Sequence, residues 1–108
     1  MDFAKDFITR PLAVQLKGLR YPNDCVPSWL EAFRFLREIY GLYAEILVDQ
    51  TMEPKFTYEI AQYRYDYTWA DRVIANHIYY TYEEAQHACL VKLIEVAKNN
   101  VSNLVANA

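Results

Sequence analysis

The residues able to do chemistry are few: two histidines, His77 and His87, and two cysteines, Cys25 and Cys89. Glu83, Glu84 and His87 stand at i, i+1 and i+4, so carboxylates and an imidazole share one helix face. That spacing can hold a metal. No second histidine pair converges on it from elsewhere in the sequence. The simpler reading is a solvated set of side chains worth a few tenths of a kcal/mol. Cys89 and His87 have the residue types of a nucleophile and its base. Two positions apart on a helix, however, they point about 160° away from each other. Cys89 also falls in an apolar stripe, the usual place of an inert structural thiol. Cys25 sits in a polar loop and is the more reactive candidate, with no evident partner. With only 2 Gly, the chain carries no glycine-rich phosphate loop, no G-x-G-x-x-G and no G-x-S-x-G. No pair of acids is nominated by position. The expectation is a non-enzymatic protein with no catalytic residue, no metal ligand set and no cofactor.

The aromatic content is the other chemical feature: 10 Tyr, 5 Phe and 2 Trp. Tyr58, Tyr63, Tyr65, Tyr67 and Trp69 interleave with Lys55 and Arg64 in one stretch. Aromatic rings on an open sheet can stack bases, as single-strand binders do, or can pack across strands. A net charge of −3 and the acidic neighbours Glu59, Asp66 and Asp71 weigh against nucleic acid. A protein-contact surface, a homodimer interface included, uses the same rings without needing positive charge. The candidate contact surface is Phe35, Tyr63, Tyr65, Tyr67 and Trp69. Phe35 joins it because it lies toward the polar side of its helix, beside Glu31 and Glu38.

These side chains must be positioned by a modest set of elements. The chain has 108 residues, one domain's worth. Thr9 opens a helix running to about Leu19, with Pro11 in its first turn and Leu12, Leu16 and Leu19 on its buried face. The segment 21–27, with two prolines and Asn-Asp, is a loop. Ser28 and Glu31 form a capping-box pattern that starts a second helix. Its buried face is Trp29, Phe33, Leu36 and Tyr40, flanked by Ala32 and Ile39, and Gly41 ends it. Leu42–Asp49 alternates as a half-buried strand, with Leu42, Ala44, Ile46 and Val48 on one face. After a turn at Gln50–Pro54, Lys55–Tyr65 forms a second, antiparallel strand. Its apolar phase changes near Ala61–Gln62, which predicts a bulge there. Asp66–Ile78 is ambiguous: Trp69 and Val73 stand at helical spacing, while Arg72–Ile74 and His77–Tyr80 have the composition of short strands; the preferred reading is a loop followed by a short third strand near His77–Tyr80. Thr81 and Glu84 repeat the capping logic and open the longest helix. Its stripe is Ala85, Cys89, Leu93 and Val96, widened by Leu90, Ile94 and Ala97. The expected fold is α+β, with about three helices packed on a small two- or three-stranded antiparallel sheet. It is a single domain over 1–108 whose ends, 1–8 and 100–108, are the loosest parts.

Three stretches, AVQLKGLRYPNDC (13–25), WLEAFRFLREIYGLYAEI (29–46) and YYTYEEAQHACLVKLIEVAK (79–98), together resemble a group of small uncharacterised proteins from phages and prophages of gut Bacteroides-type bacteria. That group has a comparable first-helix end, a P-x-W helix leading into a strand and a closing TYEEA helix. The chain departs from it at Arg20, where the group tends to have glycine. The resemblance implies a phage setting and supplies no activity and no site residue. No apolar run approaches the ~20 residues of a membrane-spanning helix, and the first residues lack the apolar core of a signal peptide. The two cysteines read as reduced thiols. The expected setting is the cytoplasm of a bacterial host cell. The expected role is that of a phage or prophage accessory protein acting through a protein partner or as a homodimer.

Overall fold

Helix α1 (Arg10–Gly18) is short and carries Pro11 in its first turn; Thr9 precedes it without making a side-chain cap. Leu12 and Leu16 are buried, and so is Leu19 just beyond the last turn. The helix closes with Arg20 N–H donating to the Lys17 carbonyl at 3.0 Å and Tyr21 N–H to the Leu16 carbonyl at 3.0 Å. This pair of bonds is a Schellman closure, which requires a left-handed residue between helix and loop. That residue is Arg20, with φ 71°. Its backbone conformation is one that favours glycine. The computed structural model describes residues 6–49, 55–63, 69–74 and 78–106; the turn Gln50–Pro54, Tyr65, Tyr67 and His77 lie outside them.

Helix α2 (Trp29–Tyr40) begins where Ser28 Oγ accepts from Glu31 N–H at 3.1 Å and ends on left-handed Gly41. The chain before it is tied back by Ile8 N–H donating to the Pro27 carbonyl at 3.1 Å, and Ile8 is buried. The buried face of α2 differs from the expected one. Ala32, Phe35 and Leu36 are buried, while Ile39 stands 65% exposed. The cause is the loop after α1, which lies along the Phe35 side of the helix and covers it with Tyr21.

Strands β1 (Leu42–Asp49), β2 (Lys55–Tyr63) and β3 (Trp69–Ile74) form one antiparallel sheet in the order β1-β2-β3. The β1–β2 register runs unbroken from Leu42 opposite Gln62 to Asp49 opposite Lys55. Leu42, Tyr58 and Ile60 are buried on the side that meets the helices. The bulge lies between Gln62 and Tyr63, in the pairing with β3. Gln62 pairs with Asp71 and Tyr63 with Trp69, so the extra residue is Ala70 on β3. The third strand is earlier than the sequence predicts. It is built from Trp69–Ile74; of the expected segment, Tyr79 forms an isolated bridge to β2, exchanging bonds of 2.8 and 2.7 Å with Phe56. Tyr79 rejoins the same side of β2 along which β3 runs, since Glu59 pairs with Ile74 and Phe56 with Tyr79.

Helix α3 (Tyr82–Ala106) is 25 residues long and starts where Thr81 Oγ1 accepts from Glu84 N–H at 3.1 Å. Ala85, Cys89, Leu90, Leu93, Ile94 and Ala97 are buried along it. Their small members at the start let the helix approach the sheet closely. It touches β1, β2, α2 and α1, and Lys98 Nζ donates to Gln15 Oε1 at 3.2 Å across to α1. The buried side chains of helices and sheet form one cluster. One layer of helices on one layer of strands, each about 10 Å deep, accounts for a smallest dimension of 20 Å. The fold is α+β. Among the described residues, no helix is long and apolar enough to cross a membrane.

Candidate functional site

Cys89 is fully buried beneath the sheet, and burial pushes its thiol up to about 12. At neutral pH the group is a protonated apolar side chain and offers no thiolate. Cys25 is exposed and unpaired in the loop before α2. That loop is tethered by Lys17 Nζ to Asp24 Oδ1 at 2.7 Å, and the lysine holds the Asp24 carboxyl below its usual range. Glu83, Glu84 and His87 are all exposed. The His87 ring packs edge-on against Trp29, with centroids 6.3 Å apart. Among the described residues, no group of three His, Cys, Asp or Glu is placed to hold a metal.

The expected contact surface is only partly within the described residues. Tyr63 and Trp69 are brought opposite each other by backbone register; Tyr65 and Tyr67 lie outside the described residues. Phe35 is not a surface residue. It is 8% exposed and stands edge-on to Tyr21 at 5.3 Å and to Tyr40 at 5.9 Å. Its neighbours Glu31 and Glu38 are exposed, and the loop that carries Tyr21 covers its ring. Phe35 thus acts from below, as the floor of a groove.

That groove has a volume of about 640 Å³. It lies between the loop 19–23 and the outer flank of α2. Tyr21, Phe35 and Tyr40 supply its aromatic wall. Tyr40 Oη donates to the Leu19 carbonyl at 2.9 Å, and Tyr21 Oη donates to Glu31 Oε2 at 3.0 Å. Both phenols are thereby fixed. Burial pushes the Tyr21 phenol up, and the Glu31 carboxylate beside it adds to the shift. Arg20, Arg34, Glu38 and Ile39 form the rim.

A second groove, of about 510 Å³, lies on the opposite flank of α2, where Trp29, Leu30 and Phe33 face Ala44 and Ile46 of β1 and Tyr82 and Gln86 of α3. Trp29 and Phe33 lie with centroids 6.5 Å apart. Leu30 stands 71% exposed at its edge. Leu30 and Ile39 are nine positions apart, which places them about 180° apart around the helix. Each flank of α2 thus carries one exposed aliphatic side chain beside an aromatic-walled groove.

Helical periodicity places Ile39 beside the buried face of α2 and gives Leu30 no role, whereas both are exposed. The signal was available: α2 has apolar residues at Leu30, Phe35 and Ile39 beyond the stripe needed to bury one face. No protein-family model, no curated protein and no solved structure matches the chain.

Proposed function

We propose that this protein is a non-catalytic contact module, an accessory protein of phage or prophage setting that works by binding a protein partner or a second copy of itself through helix α2. The observation that carries this reading is the pair of exposed aliphatic residues, Leu30 and Ile39, each at the mouth of an aromatic-walled groove. A large aliphatic side chain beside an apolar concavity is the anatomy of an interface centre, where truncation of a few residues removes most of the binding energy. The charge on α2 is mixed, with Arg34, Arg37, Glu31 and Glu38 exposed. That mixture suits a protein partner better than a phosphate backbone, which needs clustered positive charge.

The test is site-specific photo-crosslinking in bacterial cells, with the crosslinker placed at position 30 or 39. A discrete crosslinked species from either position is expected. No crosslinked species from either position overturns the proposal.

A further inference from the structure

The flank of α2 that carries Ile39 is complementary to itself. Building on the contact function above, we propose that it pairs with the same flank of a second copy of the chain, α2 antiparallel to α2. The two-fold axis would cross the helix at the level of Leu36 and Arg37. In that arrangement Arg34 of each copy meets Glu38 of the other. Ile39 of each copy enters the groove of the other, above Phe35 and beside Tyr21.

The residue positions set this geometry. An axis between positions 36 and 37 puts 34 level with 39 of the second copy, and 35 level with 38. Arg34 and Glu38 of opposite copies are then one residue out of level, about 1.5 Å along the axis. Ile39 and Phe35 of opposite copies are offset by the same amount. A two-fold axis makes every such contact twice, so one self-complementary patch builds the whole interface.

The state of each side chain agrees. Arg34 and Glu38 are both exposed, and neither belongs to an ion pair: among the described residues those are Lys17 with Asp24 and Lys92 with Glu95. The other acid of the groove, Glu31, is already engaged by the Tyr21 hydroxyl. Ile39 is held away from its own core, and the groove of about 640 Å³ has ample room for an isoleucine side chain. The groove rim carries two arginines, Arg20 and Arg34, and two glutamates, Glu31 and Glu38. An acidic or basic partner of uniform sign meets repulsion at half of these positions. An antiparallel copy of the same helix presents the two signs in reversed order, which satisfies the Arg34 and Glu38 positions together.

The experiment is sedimentation velocity of the full chain up to about 1 mM, the weak limit of specific association. Four proteins are compared: wild type, Arg34→Glu, Glu38→Arg and the double variant, with circular dichroism showing each folded. The wild type is expected to dimerise, and each single variant to lose about tenfold or more in association. The double variant recovers it, because reversing both signs restores opposite charges across the axis. An equimolar mixture of the two single variants also dimerises. In that mixture one chain is acidic at both positions 34 and 38 and the other is basic at both, so each crossed 34–38 pair is again of opposite sign. A wild type that stays monomeric overturns the proposal. So does a mixture that fails to associate. If Ile39→Asp still dissolves a wild-type dimer that the mixture does not reproduce, the antiparallel pairing is wrong while the contact function stands. If crosslinks form only at position 30, the contact function stands on the opposite flank without this dimer.

Discussion

At the scale of single residues, two side chains sit against local preference. Arg20 holds a left-handed backbone, φ 71°, at the close of α1. An L-residue there costs about 1–2 kcal/mol, and glycine adopts it without that strain. Arg20→Gly is therefore expected to stabilise the fold by about 1 kcal/mol, raising Tm by roughly 3–6 °C for a chain of this size. A thermal melt followed by circular dichroism checks it; an unchanged or lowered Tm contradicts the strain argument. Cys89 is the second case. Its thiol ionises near the ordinary 9.0 in the unfolded chain and near 12 in the folded one. Between those values the folded state binds more protons than the unfolded, so stability is full below pH 9 and falls as pH rises toward 12. The loss over that range is at most about 4 kcal/mol. Burial also pushes the phenols of Tyr21 and Tyr58 up, which acts in the same direction at higher pH. Cys89→Ala is expected to cost about 1 kcal/mol near neutrality through the small cavity it leaves, yet to flatten much of the alkaline decline. Urea midpoints measured against pH separate the two effects. A thiol reagent at neutral pH should modify Cys25 alone in the folded protein, with Cys89 reacting only after denaturation.

At the scale of elements, all three helix starts carry Ser or Thr at the cap position, but they differ in the structure. Ser28 and Thr81 accept from the backbone N–H three residues on, each at 3.1 Å, whereas Thr9 makes no side-chain cap. Pro11 supplies no N–H in that first turn, which leaves fewer donors for Thr9 to satisfy. Ser28→Ala and Thr81→Ala are each expected to lower stability by about 1 kcal/mol, and Thr9→Ala by less than about half of that. Chemical denaturation of the three variants decides it, and equal losses contradict the capping geometry. Much of the element pattern was legible beforehand. The caps at Ser28 and Thr81, Gly41, the alternation of β1 and the stripe of α3 follow from local rules. The face of α2 and the location of β3 do not, because both depend on a distant partner. Phe35 is buried by Tyr21, which helical periodicity within α2 has no means of anticipating. Trp69–Ile74 carries residues compatible with either strand or helix, and its pairing with Glu59–Tyr63 decides between them. The grooves were hidden for the same reason, since each is walled by segments far apart in sequence.

At the scale of the whole molecule, α3 is what makes the parts one unit. It touches both β1 and β2 as well as α1 and α2, and α1 is tied to it by Lys98 and Gln15. The buried residues of all these elements form a single cluster with Leu90, Leu93 and Ile94 among its fully buried members. Removing side-chain volume from α3 therefore withdraws support from every layer at once. Leu93→Ala is expected to cost about 2–5 kcal/mol, a large fraction of the roughly 5–15 kcal/mol typical of a domain. Because no element has a core of its own, the loss should appear as one earlier transition, with an unchanged slope against denaturant. Far-UV circular dichroism, dominated by the helices, and tryptophan fluorescence, which includes Trp29 at the junction of α2 and α3, should move together. A fluorescence change that precedes the loss of helix would mean that α2 detaches from α3 while the rest remains folded. In that case the grooves beside α2 belong to a separately mobile element rather than to a rigid surface. Coincident transitions instead make Leu30 and Ile39 fixtures of the whole fold, held ready for a partner before it arrives.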